Sequence, residues 1–185
     1  DPEFYRHGGH SFGPGEMLAL AEAKGERALV YPASGGEEAL SLANLGATVS
    51  VFDSLENSAR ARALAEQAGI AVTFLEGVPG SPEIPGGPYD TVYSSFGLLS
   101  ALEFFDDWAG GIAGALKTGG RLVIHDVHPA AYVPGVRKGV FAVAHSYFLR
   151  QLQGRLSEME NTLKALSAQL PGIPLIGAGL AQVHA

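Results

Sequence analysis

The feature that most constrains this sequence is a regular alternation of short apolar runs with longer helical stretches between residues 28 and 124. The runs are rich in Val, Ile, Leu, Phe and Tyr, which is typical of buried strands. We predict five strands, at residues 28–31, 48–52, 71–75, 91–93 and 121–124. The helical patterns lie at residues 16–24, 37–45, 56–68 and 104–116.

This alternation, with its short links, predicts an α/β domain with a doubly wound (Rossmann-like), mainly parallel sheet and helices on both faces. We assign residues 15–135 to this core and residues 1–14 to an irregular lead-in, because residues 5–14 are rich in Gly, His and Pro. The first four residues carry neither an initiator Met nor an apolar signal segment. We therefore expect them to be a cloning remnant or the start of a trimmed chain.

The segment 136–185 is predicted to be mainly helical, with a strand pattern only at residues 173–180. Apolar residues spaced alternately by three and four predict one long C-terminal helix over residues 149–170. The helix either covers the sheet as a lid or pairs two subunits in a homodimer, and the pattern is compatible with both. The residues of this stripe are Leu149, Leu152, Leu156, Met159, Leu163, Leu166 and Leu170.

Composition narrows the classes of partner. The chain has 12 basic and 19 acidic residues, a formal net charge of -7, which disfavours binding along nucleic-acid phosphates. It has no cysteine, so disulfides and thiolate metal sites are excluded and a reducing, cytoplasmic location is expected. No apolar run approaches the roughly 20 residues of a membrane span, so no membrane association is expected.

Ligands of open parallel sheets bind beyond the carboxyl ends of the strands, where the strand order reverses. The loop after the first predicted strand, residues 32–38, contains the pair Gly35 and Gly36 directly before a helix. Asp53 ends the second strand, eighteen residues after Gly35, where a carboxylate can accept both hydroxyls of a ribose. The alternative is a tight strand-to-helix turn and a helix-capping Asp.

Three stretches resemble the motifs of class I S-adenosylmethionine-dependent methyltransferases. ALVYPASGGEEALSLANLGATVSVFD resembles the first two motifs, GPYDTVYSSFGLLSAL the fourth-strand motif, and LKTGGRLVIHD the L-x-P-G-G-x-L turn with its fifth strand. HDVHPAAY resembles a bacterial branch that carries His-Pro after that strand. The resemblance covers roughly residues 15–135 and implies S-adenosylmethionine as cofactor and S-adenosylhomocysteine as product.

By this resemblance, the cofactor contacts fall in the loops that follow the first four strands. The residues implied are Ala33, Ser34, Gly35 and Gly36 at the amino-acid end; Asp53 at the ribose; Ser54, Leu55, Gly77 and Val78 around the adenine; and Ser94, Ser95 and Phe96 on the methyl-donor side.

Methyl transfer needs a general base only when the acceptor must lose a proton. The candidates after the fifth strand are His125, Asp126 and His128, with Tyr93 nearby by topology. The alternative is that these histidines shape the loop or lie in solvent. Two His and one carboxylate could also form a metal triad, but residues three apart at a strand end point in different directions, so no metal is expected.

We therefore predict a methyltransferase acting on a small molecule, since no Asn-Pro-Pro-Tyr-like sequence follows the fourth strand. A first alternative is a degenerate, non-catalytic binding or assembly protein, because Tyr31, Ala33 and Val78 replace residues usual in the family. A second is an NAD(P)-dependent oxidoreductase, although Gly-x-Gly-x-x-Gly is lacking. An antiparallel hairpin at the sheet edge favours a methyltransferase, and six parallel strands in two equal halves favour an oxidoreductase.

Overall fold

The computed structural model describes residues 1–78, 80–95, 105–126, 134–137, 140–143 and 175–177. The helices are α1 (Pro2–Arg6), α2 (Pro14–Leu20), α3 (Glu37–Asn44), α4 (Leu55–Ala68) and α5 (Phe105–Ala115). The strands are β1 (Arg27–Val30), β2 (Thr48–Asp53), β3 (Thr73–Glu76), β4 (Tyr89–Ser95), β5 (Leu116–His125), β6 (Pro134–Arg137), β7 (Val140–Val143) and β8 (Leu175–Gly177).

Six of these strands form one sheet in the order β3-β2-β1-β4-β5-β8, and every pair of neighbours in it is parallel. The strands β6 and β7 form a separate antiparallel pair. The predicted doubly wound, mainly parallel α/β sheet is therefore confirmed.

Alternating side chains of the strands enter two cores, one on each face of the sheet. On one face, Val30 of β1 and Val123 of β5 pack with residues of α1 to α4. On the other face, Leu29 and Leu122 pack with Trp108 of α5. Both faces of a parallel sheet must be covered, which explains why its strands read as nearly continuous apolar runs.

Strand boundaries differ most from the prediction at β5, which begins at Leu116 rather than Arg121, and to a smaller extent at β4 and β3. The strand β4 extends to Ser94 and Ser95, which are polar but buried, and so the sequence pattern did not reveal its end. The strand β3 begins at Thr73 rather than Ala71 and pairs only with β2 in the described sheet, so it is half-buried and shows a weaker apolar pattern.

The prediction of an irregular lead-in over residues 1–14 is wrong for part of that segment. Pro2–Arg6 is a helix, capped by the Asp1 carboxylate, and Tyr5 and Phe12 are buried in the core. The Asn44 amide donates to the carbonyl oxygens of Tyr5 and Gly9, at 2.8 and 2.7 Å. A five-residue helix has too short an apolar pattern to be seen in sequence. The first residues are thus part of the folded domain.

The described residues of the range 136–185, which are 136–137, 140–143 and 175–177, are all strand, and the prediction that the segment is mainly helical stays a prediction because its other residues lie outside the described ones. Residues 175–177 form a strand inside the predicted 173–180, parallel to β5. The sheet of the described residues therefore has six parallel strands, three on each side of the boundary between β1 and β4, and the antiparallel pair lies outside it. By the criterion given above this is the arrangement expected of an oxidoreductase, so the sheet alone does not support the methyltransferase prediction. The predicted helix 149–170 lies outside the described residues.

Within the described ranges, no helix combines the length and the apolar character needed to cross a membrane.

Candidate functional site

Polar residues gather at the carboxyl ends of β1, β4 and β5. The strand order reverses between β1 and β4, where open parallel sheets form a ligand crevice. Ser95 at the end of β4 lies in register with His125 at the end of β5. The crevice therefore brings together the loop after β1 and the last residues of two further strands.

The loop after β1 turns through two left-handed residues, Ser34 with φ 46° and Gly36 with φ 93°. A Cβ atom on Gly36 would lie 2.7 Å from the Cα of Ala61 in α4. Gly36 is thus needed for the close packing of α4 on the loop, and not only for the approach of a ligand. A Cβ on Gly35 would meet the carboxylate of Glu37, which is also paired with Arg60 at 2.9 Å.

Asp53 is at the end of β2, as the sequence predicts, but its carboxylate is turned into the protein. Oδ2 accepts from the Ala33 backbone N–H at 2.9 Å, and Oδ1 accepts from the Ser54 N–H at 2.7 Å and the Asn57 side chain at 2.8 Å. Asp53 is 1% exposed. In this state the carboxylate holds the β1 loop against β2, and the ribose contact implied by the resemblance stays a prediction.

The residues expected around the adenine lie at the ends of β2 and β3. Leu55 and Val78 are 58% and 73% exposed. Ser54 is instead the N-cap of α4 and accepts from the Asn57 N–H. A Cβ on Gly77 would meet the ring of Phe52, so Gly77 allows the chain to pass over that ring.

Glu38 lies in the first turn of α3 and faces the end of β4. Its Oε1 accepts from the Ser95 hydroxyl at 3.1 Å, whereas the buried Oε2 has no hydrogen-bond partner among the described residues. Burial is the main cause that raises the pKa of the Glu38 carboxyl. The neighbouring Ser94 hydroxyl is used within the sheet, where it donates to the Tyr31 carbonyl at 2.6 Å.

Glu16 of α2 reaches the same end of the sheet and is only 8% exposed. Its Oε1 accepts from the Tyr93 hydroxyl and lies 3.1 Å from Nδ1 of His125. Its Oε2 accepts from the Gly13 N–H at 2.9 Å, which closes the N-terminal turn of α2. Glu16 thus connects α2 to β4 and β5.

These contacts bear on the predicted bases. Burial, together with the neighbouring Glu16, raises the pKa of the Tyr93 hydroxyl, and so Tyr93 stays protonated and donates to Glu16. The predicted role of Tyr93 as a base stays a prediction. His125 is placed at the crevice with Nδ1 beside a carboxylate, and Asp126 follows it and is half-buried. Phe96 and His128 lie outside the described residues.

Sequence reasoning missed Glu16 and Glu38 as site residues. Glu38 is the last residue of the predicted Gly-rich loop. The only sequence signal for a role at the crevice was its position in the first turn of the helix that follows this loop. Glu16 sits in a capping box, a pattern that predicts a helix start and nothing about β5. Among the described residues, no three His, Asp or Glu are grouped so that they could hold a metal ion.

No protein-family model and no curated protein matches this sequence. Solved structures do. An S-adenosylmethionine-dependent methyltransferase from Mesorhizobium loti is 23% identical with a TM-score of 0.63, and the match covers 85% of this chain and 81% of that chain.

Two further structures match over a smaller part. YcgJ from Bacillus subtilis is 23% identical with a TM-score of 0.53, covering 60% of this chain and 48% of that chain. A candidate sarcosine dimethylglycine methyltransferase from Galdieria sulphuraria is 22% identical with a TM-score of 0.52, covering 65% of this chain and 56% of that chain. The chain therefore has the class I fold of S-adenosylmethionine-dependent methyltransferases.

Proposed function

We propose that this chain is an S-adenosylmethionine-dependent methyltransferase that acts on a small molecule. The observation that carries the proposal is the group of polar side chains at the carboxyl ends of β4 and β5, with Ser94, Ser95 and Glu16 buried and Glu38 and His125 half-buried, in a fold shared with such methyltransferases. A fold alone does not define an activity, so the proposal depends on what these side chains can bind.

Glu38 supplies the feature that most needs a ligand. A buried carboxylate oxygen without a hydrogen-bond partner lowers the stability of the folded state. Oε2 of Glu38 is such an oxygen, and it lies in a crevice where a hydrogen-bond donor of a ligand could reach it. The amino-acid end of S-adenosylmethionine carries a protonated amine, which is a suitable partner. The cofactor also carries a sulfonium charge, which is favoured near the carboxylates of Glu16 and Glu38.

The cofactor would supply the activated methyl group, and the protein would supply alignment. The loop after β1 and the ends of β2 and β3 would hold the nucleoside, with Leu55 and Val78 offering exposed apolar surface to the base. The acceptor would lie beside β4 and β5, near His125. The Galdieria protein is named for the small molecules sarcosine and dimethylglycine, which supports an acceptor of that size.

Isothermal titration calorimetry with S-adenosylmethionine and S-adenosylhomocysteine tests the cofactor. We expect a dissociation constant in the micromolar range and a loss of about tenfold in Glu38→Gln, because a charged hydrogen bond is removed. The matched control is Glu66→Gln, the same change at an exposed position of α4, which should bind as the wild type does.

Absence of binding by wild-type protein with an intact circular dichroism spectrum would overturn the proposal. Binding with equal affinity in wild type and Glu38→Gln would support the proposed cofactor but show that Glu38 does not contribute to its binding. Asp53→Ala is a poorer test than Glu38→Gln, because the Asp53 carboxylate also holds Ala33 and Asn57 in place.

A second candidate is a non-catalytic protein of the same fold that acts by binding or assembly. It is favoured by the Asp53 carboxylate, which accepts three internal hydrogen bonds. It is favoured also by Tyr31, which is fully buried against Phe52, with ring centroids 5.5 Å apart, where the family usually has an acidic residue. The calorimetric experiment separates the two candidates.

A further inference from the structure

Tyr31 is a buried residue whose hydroxyl contacts a loop far along the chain. It comes directly after β1, and its side chain is fully buried. Its hydroxyl oxygen accepts a hydrogen bond from the backbone N–H of Gly80, in the loop between β3 and β4. Because β1 is a central strand, this hydrogen bond ties the loop to the centre of the sheet.

Phe52 supports the start of the same loop. Its ring lies against Tyr31, with ring centroids 5.5 Å apart. A Cβ on Gly77 would lie 2.1 Å from the Phe52 ring, so the chain passes directly over that ring. The Gly77 N–H also donates to the Asp53 carbonyl oxygen at 3.1 Å. The loop is therefore fixed immediately before Val78.

Gly80 fixes the loop on the other side of Val78. It has φ 87°, and the Ser81 N–H donates to the Val78 carbonyl oxygen at 3.0 Å, as in a tight turn. A backbone N–H that no carbonyl of the turn accepts needs another acceptor, and for Gly80 this acceptor is the Tyr31 hydroxyl. Val78 thus lies between two points at which the loop is bonded to the sheet.

Val78 and Leu55 follow the ends of neighbouring strands. Asp53 of β2 and Glu76 of β3 are partners in register, and each of the two apolar residues comes two positions later in the chain. Both of their side chains are exposed. Two apolar side chains at adjacent strand ends offer suitable surface to a flat aromatic ring such as adenine.

We propose that Tyr31 is a positioning residue whose hydroxyl holds the loop between β3 and β4, so that Val78 forms one wall of the site for the adenine base. This rests on the proposed methyltransferase function and concerns the cofactor end of the same site. Tyr31 is fully buried and acts through the loop, and so it touches neither the base nor the methyl acceptor.

A tyrosine suits this position because its hydroxyl accepts the hydrogen bond without carrying a charge. Burial is the main cause that raises the pKa of the Tyr31 hydroxyl, and it outweighs the opposite effect of the Gly80 hydrogen bond. The nearby Asp53 carboxylate raises this pKa further. The acidic residue that is usual in the family at this position would instead place a second carboxylate near Asp53.

A double-mutant cycle on the binding of S-adenosylhomocysteine tests the proposal. We expect Tyr31→Phe to weaken binding about fivefold and Val78→Ala to weaken it by about the same factor, because each removes apolar surface from the base. The double variant should also lose about fivefold rather than about 25-fold, since Tyr31 acts only through Val78. Calorimetric titration of wild type, both single variants and the double variant measures these losses.

Tyr89→Phe is the matched control for the loss of a buried tyrosine hydroxyl. The Tyr89 hydroxyl donates to the Pro85 carbonyl oxygen at 3.0 Å, near the other end of the same loop, so Tyr89→Phe should leave binding unchanged. Methylthioadenosine has the base and the ribose but no amino-acid group, and its affinity should fall in Tyr31→Phe by the same factor. Glu38→Gln should weaken S-adenosylhomocysteine alone, because Glu38 is assigned to the amino-acid end.

Amide hydrogen exchange at Gly80, followed by NMR without any ligand, tests the hydrogen bond itself. The Gly80 N–H should exchange about tenfold faster in Tyr31→Phe and at the wild-type rate in Tyr89→Phe, since only the first variant removes its acceptor. If Tyr31→Phe does not fold, two results still overturn the proposal. One is an unprotected Gly80 N–H in wild type, and the other is equal affinity of wild type and Val78→Ala.

The outcomes separate this inference from the proposed function. If wild-type protein binds neither S-adenosylhomocysteine nor methylthioadenosine, the methyltransferase proposal fails and this one fails with it. If wild type binds and Tyr31→Phe binds equally well, or if the two losses multiply in the double variant, the positioning proposal alone fails. A single shared loss of affinity, with faster exchange at Gly80, supports both.

Discussion

Glu38 carries one carboxylate oxygen that is buried and unpartnered within the described structure, and burial raises its pKa. The native state therefore holds a proton on this group at pH values where the unfolded chain, with a carboxyl pKa of about 4.5, has already lost it. The contribution of Glu38 to the free energy of unfolding is therefore fully present below a pH of about 4.5. It is lost as the pH rises through the raised native pKa, because ionisation then opposes folding.

Glu38→Gln should therefore stabilise the protein at neutral pH. We expect the free energy of unfolding to rise by about 1 kcal/mol at pH 7, because a buried charge without a second partner is removed. At about pH 4 the gain should disappear, since Glu38 is then protonated in both states. Urea unfolding at both pH values measures the difference.

Glu66→Gln serves as the control, and it should leave the unfolding free energy unchanged at neutral pH. A variant Glu38→Gln that is less stable than wild type at pH 7 would contradict this explanation. The same change that weakens cofactor binding is expected to strengthen folding, which is the usual relation at a functional site.

At the scale of elements, the close contact between the β1 loop and α4 determines how the crevice is built. Gly36 has φ 93° and lies directly against Ala61. A side chain there is opposed both by the backbone conformation and by the helix.

Gly36→Ala should destabilise the fold by about 3 kcal/mol, as the sum of left-handed strain and overpacking against α4. Gly69→Ala is the matched comparison, because Gly69 has φ 71° but nothing lies within 4 Å of an added Cβ. We expect it to cost only about 1 kcal/mol. Chemical unfolding followed by circular dichroism compares the two, and equal losses would show that contact with α4 contributes nothing.

The elements themselves were largely predictable, because strands buried on both faces leave continuous apolar runs and Gly46 and Gly69 end their helices. The short helix α1 was not, since five residues carry no periodic signal. The site was predictable only to the level of strand ends. Sequence spacing does not reveal that the Asp53 carboxylate points into the protein or that the Glu16 carboxylate lies beside the His125 ring. Both features depend on the directions of side chains in the folded state.

At the scale of the whole molecule, the formal net charge is -7, and the crevice also contains acidic side chains. In the described part of the chain, no Lys or Arg forms an ion pair with Glu16, Glu38 or Asp53. S-adenosylmethionine has a net charge of about +1 at neutral pH, from a sulfonium, an ammonium and a carboxylate, whereas S-adenosylhomocysteine is neutral overall. Under the proposed function, we therefore expect this negative field to favour S-adenosylmethionine over S-adenosylhomocysteine.

Added salt should reduce this preference. Between about 0.02 and 0.3 M NaCl, we expect the affinity for S-adenosylmethionine to fall about threefold and that for S-adenosylhomocysteine to change little, because screening acts on net charge. Calorimetric titrations of both compounds across this range measure it. Parallel losses for the two compounds would assign the salt effect to something other than the cofactor's charge.

The strand β8 also has a consequence for the order of events during synthesis. Leu175 pairs with Leu122, so the β5 edge is covered only after the ribosome has added the fifty or so residues between them. At roughly 5–20 residues per second, that interval lasts several seconds. During it, β1 to β5 can already assemble while β5 presents an open row of backbone donors and acceptors. The nascent chain is then most exposed to pairing with a neighbouring chain.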